Sequence, residues 1–386
     1  MNPMEEVGRI REKLGKSKRW VVKIGSALST NDGVGLNVSA IDKWAGQITE
    51  LMAEDRQIVL VTSGSIAEGA TRLGWSVRPR SLPELQAAAA VGQMGLIRVW
   101  EQAFEKHKRI AAQVLLTHED LSDRTRYLNA KGTLSTLLSL GVIPVVNEND
   151  TVATEEISLG DNDTLAGLVC NLIEADVLVI LTDQSGIMTA DPRLRDDVER
   201  VEHALVDDPT LDALAGGGGE WGRGGMRTKL KAARLAARSG TSTIIADGRA
   251  EITLPHIGLG ESTGTLLYSS REKTTARKQW LAGSLKVRGQ IIVDAGASAA
   301  LASQGKSLLA AGLVQITGDF NRGDLVELVD EIGQVIGKGL TNYSSDDCTR
   351  IRGLSSRDIE SALGFVHEEE VVNRDNLLVE PTISKV

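Results

Sequence analysis

Two lysines occupy positions where a phosphate group could bind. Lys23 lies near the end of an apolar run, residues 20–24, and is followed by Gly25. Lys229 follows a glycine-dense stretch, residues 215–225, in a segment whose pattern predicts a helix. Glycines allow backbone amides to approach a phosphate closely, and the start of a helix attracts an anion. We therefore interpret both lysines as ligands of a phosphoryl group, although either side chain alone could instead extend to solvent.

Four clusters of short polar side chains provide a second kind of chemistry. Each cluster follows an apolar run or opens a helical segment, so each is predicted at the end of such an element. Hydroxyl, amide and carboxylate groups of this kind bind the ammonium and carboxylate groups of an amino acid, although single members could equally cap a helix or form a turn. The clusters contain Ser63, Asn147, Glu148, Asn149, Asp150, Asp161, Asn162, Asp163, Thr182 and Asp183.

The elements that must position these side chains alternate between strands and helices. This alternation predicts a mostly parallel sheet with helices on both faces. Ligands of such sheets bind beyond the carboxyl ends of the strands, where the polar clusters are expected. Strands are predicted at residues 20–24, 58–62, 111–116, 142–146, 177–182 and 243–246, and helices at residues 38–54, 82–108, 127–140, 163–172 and 226–238.

The pattern changes in the last third of the chain. Residues 271–283 are basic and polar and indicate a linker after a first domain at residues 1–270. Short strand-like segments separated by Gly and Asp then predict a small β-rich barrel over residues 284–366. The remaining residues, 367–386, are charged and indicate a partly disordered tail.

Composition excludes several classes of protein. The net charge of −9 argues against nucleic acid as the main partner of the whole chain. The two cysteines, Cys170 and Cys348, lie far apart, so neither a disulfide framework nor a zinc site is indicated. No His, Cys and Asp set has metal-ligand spacing, and we expect no metal held by protein side chains. No apolar run indicates a signal peptide or a membrane span, so we expect a cytoplasmic protein.

Eight motifs in order carry a resemblance to a known family. The motifs are VVKIGSALST, VTSGSIAEG, AAVGQMGL, LLTHEDLSDRTRYLNA, PVVNENDTVAT, GDNDTLA, LTDQSGIMTADPR and GGMRTK. The chain resembles the amino acid kinase family, and most closely those members that phosphorylate glutamate. The motifs GLVQITGDFNRGDLVEL and GKGLTNYSS are similar to a PUA domain. The resemblance covers residues 18–375 and implies a three-layer αβα amino acid kinase fold followed by a small PUA barrel.

The resemblance also implies a reaction and its cofactors. ATP, with Mg²⁺, would phosphorylate the side-chain carboxylate of L-glutamate to L-glutamyl 5-phosphate, the first step of proline biosynthesis. That carboxylate has a pKa of about 4.3 and is already ionised at neutral pH, so no general base is required. The chemical difficulty is to bring an anion to a polyanion, which requires positive charge.

The resemblance implies a role for each motif residue. Lys23, Lys229 and Asp161 would be catalytic, with Asp161 orienting the two lysines. Arg223 and Arg227 depart from the small or aromatic residues common at their positions. Glutamate would be bound by Ser63, Asp150 and Asn162. ATP would be bound by Lys23, Gly25, Thr182, Asp183, Arg223, Gly224, Gly225, Met226, Arg227, Thr228 and Lys229.

Further partners follow from the resemblance alone. It implies a homo-oligomer, feedback inhibition by proline, and transfer of the labile product to glutamyl phosphate reductase. Two alternatives remain open. The chain could be another amino acid kinase, acting on acetylglutamate, carbamate or aspartate, or an RNA-binding PUA protein on a kinase scaffold.

Overall fold

The computed structural model describes residues 3–77, 79–153, 162–190, 197–215, 225–269 and 286–379. Internal contacts divide the chain into two compact units: residues 1–122 with 129–276, and residues 123–128 with 277–386. The predicted boundaries at residues 270 and 284 and the predicted linker fall within 270–285, outside the described residues, so they stay predictions.

The first unit is built on an eight-stranded sheet in the order β5-β6-β4-β1-β7-β9-β10-β8. All neighbours from β5 to β9 run parallel, β10 runs antiparallel to β9, and β8 runs parallel to β10. The mostly parallel sheet predicted from the sequence is therefore confirmed. Its strands, with the small β2–β3 hairpin, are β1 (Arg19–Ile24), β2 (Thr30–Asn31), β3 (Val34–Leu36), β4 (Gln57–Val61), β5 (Ala111–Leu116), β6 (Ile143–Glu148), β7 (Val177–Thr182), β8 (His203–Leu205), β9 (Ser242–Asp247) and β10 (Thr265–Tyr268).

Helices cover both faces of this sheet. Alternate residues of the strands, such as Val22 and Val179, pack with α3 and α5 in one apolar core, and α8 packs against β1 and β7. Every residue of β6 and β7 is buried, as expected for strands covered on both faces. The helices are α1 (Pro3–Gly15), α2 (Ser26–Ser29), α3 (Val38–Ala53), α4 (Ser65–Arg72), α5 (Leu82–Glu105), α6 (His118–Ser122), α7 (Arg124–Ser139), α8 (Asn162–Ile173), α9 (Thr210–Leu214), α10 (Met226–Ala237) and α11 (Leu254–Gly258).

The second unit is β-rich. Its main sheet has the order β13-β11-β14-β15-β17, and β12 pairs with β16. Its elements are β11 (Val287–Val293), α12 (Ala295–Gln304), β12 (Leu308–Leu309), β13 (Leu313–Gly318), β14 (Leu325–Asp330), β15 (Val335–Leu340), α13 (Ser345–Ile351), α14 (Ile359–Leu363), β16 (Glu370–Val372) and β17 (Leu377–Val379).

One expectation for this unit differs from the structure. Among the described residues the strand pairing does not close, because β13 and β17 are the two edges of the sheet, so an open sheet replaces the expected barrel. Within the expected tail, residues 367–386, β16 and β17 pair with β12 and β15, and residues 380–386 lie outside the described residues, so partial disorder of the tail stays a prediction. The described part of this unit therefore continues to Val379.

Among the helices in the described ranges, none combines the length and the apolar character needed to cross a membrane.

Candidate active site

The predicted functional residues converge at one edge of the large sheet. Strands β1, β4, β6 and β7 are parallel neighbours, so their carboxyl ends share this edge. Lys23 lies in register with Val61 of β4 and Ile180 of β7. The polar residues that follow β4, β6 and β7 are thereby brought beside Lys23, as expected for a ligand site in an α/β sheet.

The centre of this edge is a buried cluster of two lysines and one carboxylate. The Nζ atom of Lys23 lies 2.5 Å from Oδ1 of Asp163, and the Nζ atom of Lys229 lies 3.1 Å from Oδ2. The Thr228 hydroxyl donates a hydrogen bond of 2.6 Å to Oδ2 of Asp163, and its oxygen lies 2.9 Å from the Gly225 carbonyl oxygen. The lysine and aspartate side chains are all less than a tenth exposed. Asp163 therefore sets the positions of both ammonium groups.

Close packing of two helices makes this cluster possible. Asp163 lies in the first turn of α8, and Thr228 and Lys229 lie near the start of α10. A Cβ atom added at Gly167 of α8 would lie 2.7 Å from the carbonyl oxygen of Ala232 in α10. Only a glycine allows this approach without displacing backbone, and the approach brings the starts of both helices together.

The electrostatics keep the aspartate ionised. Burial alone would raise the pKa of Asp163, but the charges of Lys23 and Lys229, with the hydrogen bonds from Lys23 and Thr228, lower that pKa well below its usual range. At neutral pH the three groups together carry a net positive charge of one. A buried cluster of this sign attracts an anion, such as a phosphoryl group.

This contact adds a residue to which the sequence analysis gave no role. The resemblance implies that Asp161 orients the lysines; Asp161 lies outside the described residues, so that assignment stays a prediction. Among the described residues, the carboxylate of Asp163, two residues later, contacts both lysines, because the first turn of α8 directs that side chain between β1 and α10.

Next to Asp163, polar side chains form a hydrogen-bonded row. The Nδ2 atom of Asn162 lies 2.8 Å from Oγ of Ser63 and 2.8 Å from Oδ1 of Asn147. Nearby, the Ser65 hydroxyl donates a bond of 3.0 Å to Asp150. The structure thus brings together Ser63, Asp150 and Asn162, the three residues expected to bind glutamate. Asn147 belongs to a cluster identified from the sequence, but it was given no separate role there.

The residues expected to bind ATP are only partly described. Thr182 ends β7, and its hydroxyl donates a bond of 3.1 Å to Asp183. Gly25 caps α2, and a Cβ atom there would lie 3.4 Å from Nζ of Lys23. Gly225 caps α10, whose first residues are Met226 and the exposed Arg227. Arg223 and Gly224 lie outside the described residues. Within the described ranges, the Thr228 hydroxyl contacts Asp163 and the Gly225 carbonyl.

The described residues of the site do not form a divalent metal site by themselves. No group of three or more His, Cys, Asp or Glu side chains with metal-binding geometry occurs in the described part of the chain. Both oxygens of Asp163 already contact ammonium groups. The donor set at this site therefore fits Mg²⁺ only as a partner of a bound polyphosphate, which supplies its own oxygen ligands.

Comparison with known proteins agrees with this geometry. The amino acid kinase family model matches residues 18–247, and the PUA domain model matches residues 289–363. A glutamate 5-kinase of Thioalkalivibrio sulfidiphilus is 55% identical over 370 residues, which cover 96% of this chain and 99% of that protein. A glutamate 5-kinase of Pseudomonas syringae pv. tomato is 55% identical over 371 residues, with 96% and 100% coverage. A third glutamate 5-kinase, of Alcanivorax borkumensis, is 53% identical over 369 residues, with 96% and 98% coverage.

Proposed function

Because this chain belongs to the amino acid kinase family, we propose that it transfers the γ-phosphoryl group of ATP to the side-chain carboxylate of L-glutamate. The products are ADP and L-glutamyl 5-phosphate, and the reaction is the first step of proline biosynthesis. The observation that carries this proposal is the buried carboxylate of Asp163 held between Lys23 and Lys229 at the carboxyl edge of the sheet. The names of the relatives supply the substrate.

The charges of the site suit this reaction. Glutamate arrives as a carboxylate, which is already a nucleophile at neutral pH, so the protein needs no general base. The barrier comes from repulsion between two anions and from the negative charge on the transferred group. The ammonium groups of Lys23 and Lys229 neutralise negative charge on the transferred phosphoryl group. Asp163 holds both ammonium groups in fixed positions before the substrate binds. Such preorganised charge accelerates phosphoryl transfer without a proton transfer.

The remaining polar residues divide between the two substrates. Ser63, Asp150 and Asn162 bind glutamate, with the Asp150 carboxylate opposite the ammonium group. The backbone at Gly25 and Gly225, the side chains of Thr182 and Asp183, and the segment Arg223 to Lys229 bind ATP. Mg²⁺ enters with ATP and neutralises phosphate charge. The resemblance assigns Asp161 as catalytic, and we keep it as a proposed catalytic residue. Asp163 is a second carboxylate, which contacts both lysines.

Regulation and partners are proposed on the resemblance. The protein acts as a homo-oligomer in the cytoplasm, proline inhibits it, and its labile product passes to glutamyl phosphate reductase. We assign no ligand to the PUA domain. If residues 284–366 bind RNA, the affinity for RNA should fall as the salt concentration rises.

A coupled assay of ADP release tests the proposed function. We expect turnover with L-glutamate to exceed turnover with acetylglutamate, aspartate and carbamate by at least about 100-fold. The reason is that Ser63, Asp150 and Asn162 complement a free amino acid. The same assay with added proline tests the feedback inhibition. Equal or greater turnover with one of the other substrates would assign the chain to another member of the family. No turnover with any of them, together with salt-dependent RNA binding, would favour the RNA-binding alternative.

A further inference from the structure

Three side-chain carboxamides lie in a row at the carboxyl edge of the sheet. Asn162 begins α8, Asn147 lies in β6, and Gln93 lies in the middle of α5. The Nδ2 atom of Asn162 lies 2.8 Å from Oδ1 of Asn147, and the Nδ2 atom of Asn147 lies 2.8 Å from Oε1 of Gln93. Gln93 has no role in the function proposed above.

A backbone carbonyl determines which way each carboxamide faces. The Thr62 carbonyl oxygen only accepts, so the Asn162 group 2.6 Å away must be the NH₂ group. The same NH₂ group faces Asn147, which must therefore present its oxygen. The NH₂ group of Asn147 then faces Gln93, which must also present its oxygen. The orientation of all three carboxamides follows from one carbonyl, and no free choice of amide flip remains.

This order leaves two polar atoms without a hydrogen-bond partner among the described residues. The Nε2 atom of Gln93 and the Oδ1 atom of Asn162 are both buried, and neither has a hydrogen-bond partner among the residues that the structure describes. Buried polar atoms are nearly always paired in native proteins, because an unpaired one is costly. The Nε2 atom of Gln93 is a donor, so it can donate a hydrogen bond to an anionic group of a ligand.

The backbone holds Gln93 firmly in this position. A Cβ atom at the preceding residue, Gly92, would lie 1.8 Å from the carbonyl oxygen of Ser65 and 2.4 Å from the backbone nitrogen of Gly69. Helix α5 therefore packs directly on the backbone of α4. Ser65 in turn donates a hydrogen bond to Asp150, so this contact sets Gln93 beside the proposed glutamate residues.

We infer that Gln93 is a further substrate-binding residue, whose Nε2 atom donates a hydrogen bond to the α-carboxylate of the amino acid. This inference rests on the proposed function. Asn162 adjoins Asp163, which holds the two lysines, so the carboxylate that accepts the phosphoryl group lies at that end of the row. Gln93 lies at the other end, two carboxamides away. A substrate carboxylate at that end is the one that does not react.

The variant Gln93→Glu provides the cleanest test. It keeps the side-chain length and the oxygen that accepts from Asn147, and it replaces only the unpaired donor with a negatively charged acceptor. The matched control is Gln102→Glu, which introduces the same charge at an exposed position of the same helix. Steady-state kinetics would be measured with L-glutamate and with its α-amide, which carries a neutral carboxamide in place of the α-carboxylate.

The inference makes a prediction for each substrate. Gln93→Glu should raise KM for L-glutamate about 10-fold or more, with kcat and the KM for ATP changed less than about threefold, because the lost contact is made equally before and during the reaction. The preference for L-glutamate over the α-amide, as a ratio of kcat/KM, should fall about 10-fold, since the amide N–H can donate to the new carboxylate. The control variant should change neither quantity.

Three results would overturn the inference. An unchanged KM for L-glutamate would show that the Nε2 atom does not contact the substrate. Equal losses with both substrates, or a fall in kcat alone, would show that Gln93 only supports Asn147. If Gln93→Glu does not fold, Gln93→Met is measured with both substrates. This variant removes the donor and also the oxygen that accepts from Asn147, so KM should rise more for L-glutamate than for the α-amide, and an equal rise for both would overturn the inference. Absence of glutamate-dependent ADP release by the unaltered protein would instead refute the proposed function.

Discussion

The variant Asp163→Asn tests most directly whether the Asp163 carboxylate holds the two lysines in place. The replacement keeps the shape of the side chain but removes the negative charge from between two ammonium groups at 2.5 and 3.1 Å. Two unit charges about 4 Å apart attract by about 4 kcal/mol at an effective dielectric constant of about 20, and desolvation offsets part of this. Loss of one member of a buried ion pair typically costs about 3–5 kcal/mol, because the remaining charges are left uncompensated.

We expect Asp163→Asn to lower the free energy of unfolding by about 3–5 kcal/mol and kcat by about 100-fold or more. Urea unfolding followed by circular dichroism measures the first quantity, and ADP release under saturating substrates measures the second. Asp212→Asn is the matched control, because Asp212 pairs with Arg234 at 2.8 Å on the surface, where ion pairs contribute little. Both quantities near those of the unaltered protein would refute the role of Asp163.

The pH dependence of stability supplies a second readout of the same variant. The pKa of Asp163 is lower in the folded than in the unfolded protein, so its stabilising effect is complete above the unfolded value of about 3.9 and is lost as pH falls through the folded value. The difference in stability between Asp163→Asn and the unaltered protein should therefore be constant from pH 5 to pH 8. It should narrow only in stronger acid. A difference that changed between pH 6 and pH 8 would contradict this assignment.

Three further predictions concern other parts of the molecule. Asp150→Ala should raise KM for glutamate about 10-fold or more and leave KM for ATP unchanged, and equal effects on both would remove Asp150 from the amino acid site. Gly92→Ala should destabilise the protein by about 1–3 kcal/mol in urea, since its Cβ would lie 1.8 Å from a backbone oxygen of α4, whereas Gly8→Ala, with open space, should not. Cys170 and Cys348 are buried, and burial raises the pKa of the Cys348 thiol to about 12, so a thiol reagent should label neither until the protein unfolds. Rapid labelling of the native protein would contradict their burial.

The large sheet could be read from the sequence because its central strands are long apolar runs. Strands β1, β4, β5, β6, β7 and β9 all lie within a residue or two of their predicted positions. Strands β8 and β10 were missed, since they contain only three and four residues and owe their place to pairing with distant partners. Helix α1 was missed because it is mostly polar, with Val7 and Leu14 among its few buried residues. The strands β16 and β17 were missed for the same reason as β8.

The sequence predicted individual residues of the site but not the contacts between them. Sequence pattern identified Lys23 and Lys229, because each lies within a few residues of a glycine and of the end of a strand or helix. It gave Asp163 no role, because the contacts of that carboxylate with both lysines depend on how α8 packs against β1 and α10. Gln93 lies in the motif AAVGQMGL but was given no role, because a glutamine in an Ala-rich helix is ordinary. Its role depends on the orientation of Asn147, which only the three-dimensional hydrogen-bond row determines.

The most direct test of the central claim is chemical detection of the product. An acyl phosphate reacts with hydroxylamine to give a hydroxamate, whereas ATP and glutamate do not. We predict that the unaltered protein forms glutamyl hydroxamate only when L-glutamate, ATP and Mg²⁺ are all present, and that Lys229→Met, with its fold verified, forms it at least about 100-fold more slowly. Absence of hydroxamate from the folded, unaltered protein, or equal rates for Lys229→Met, would contradict the account.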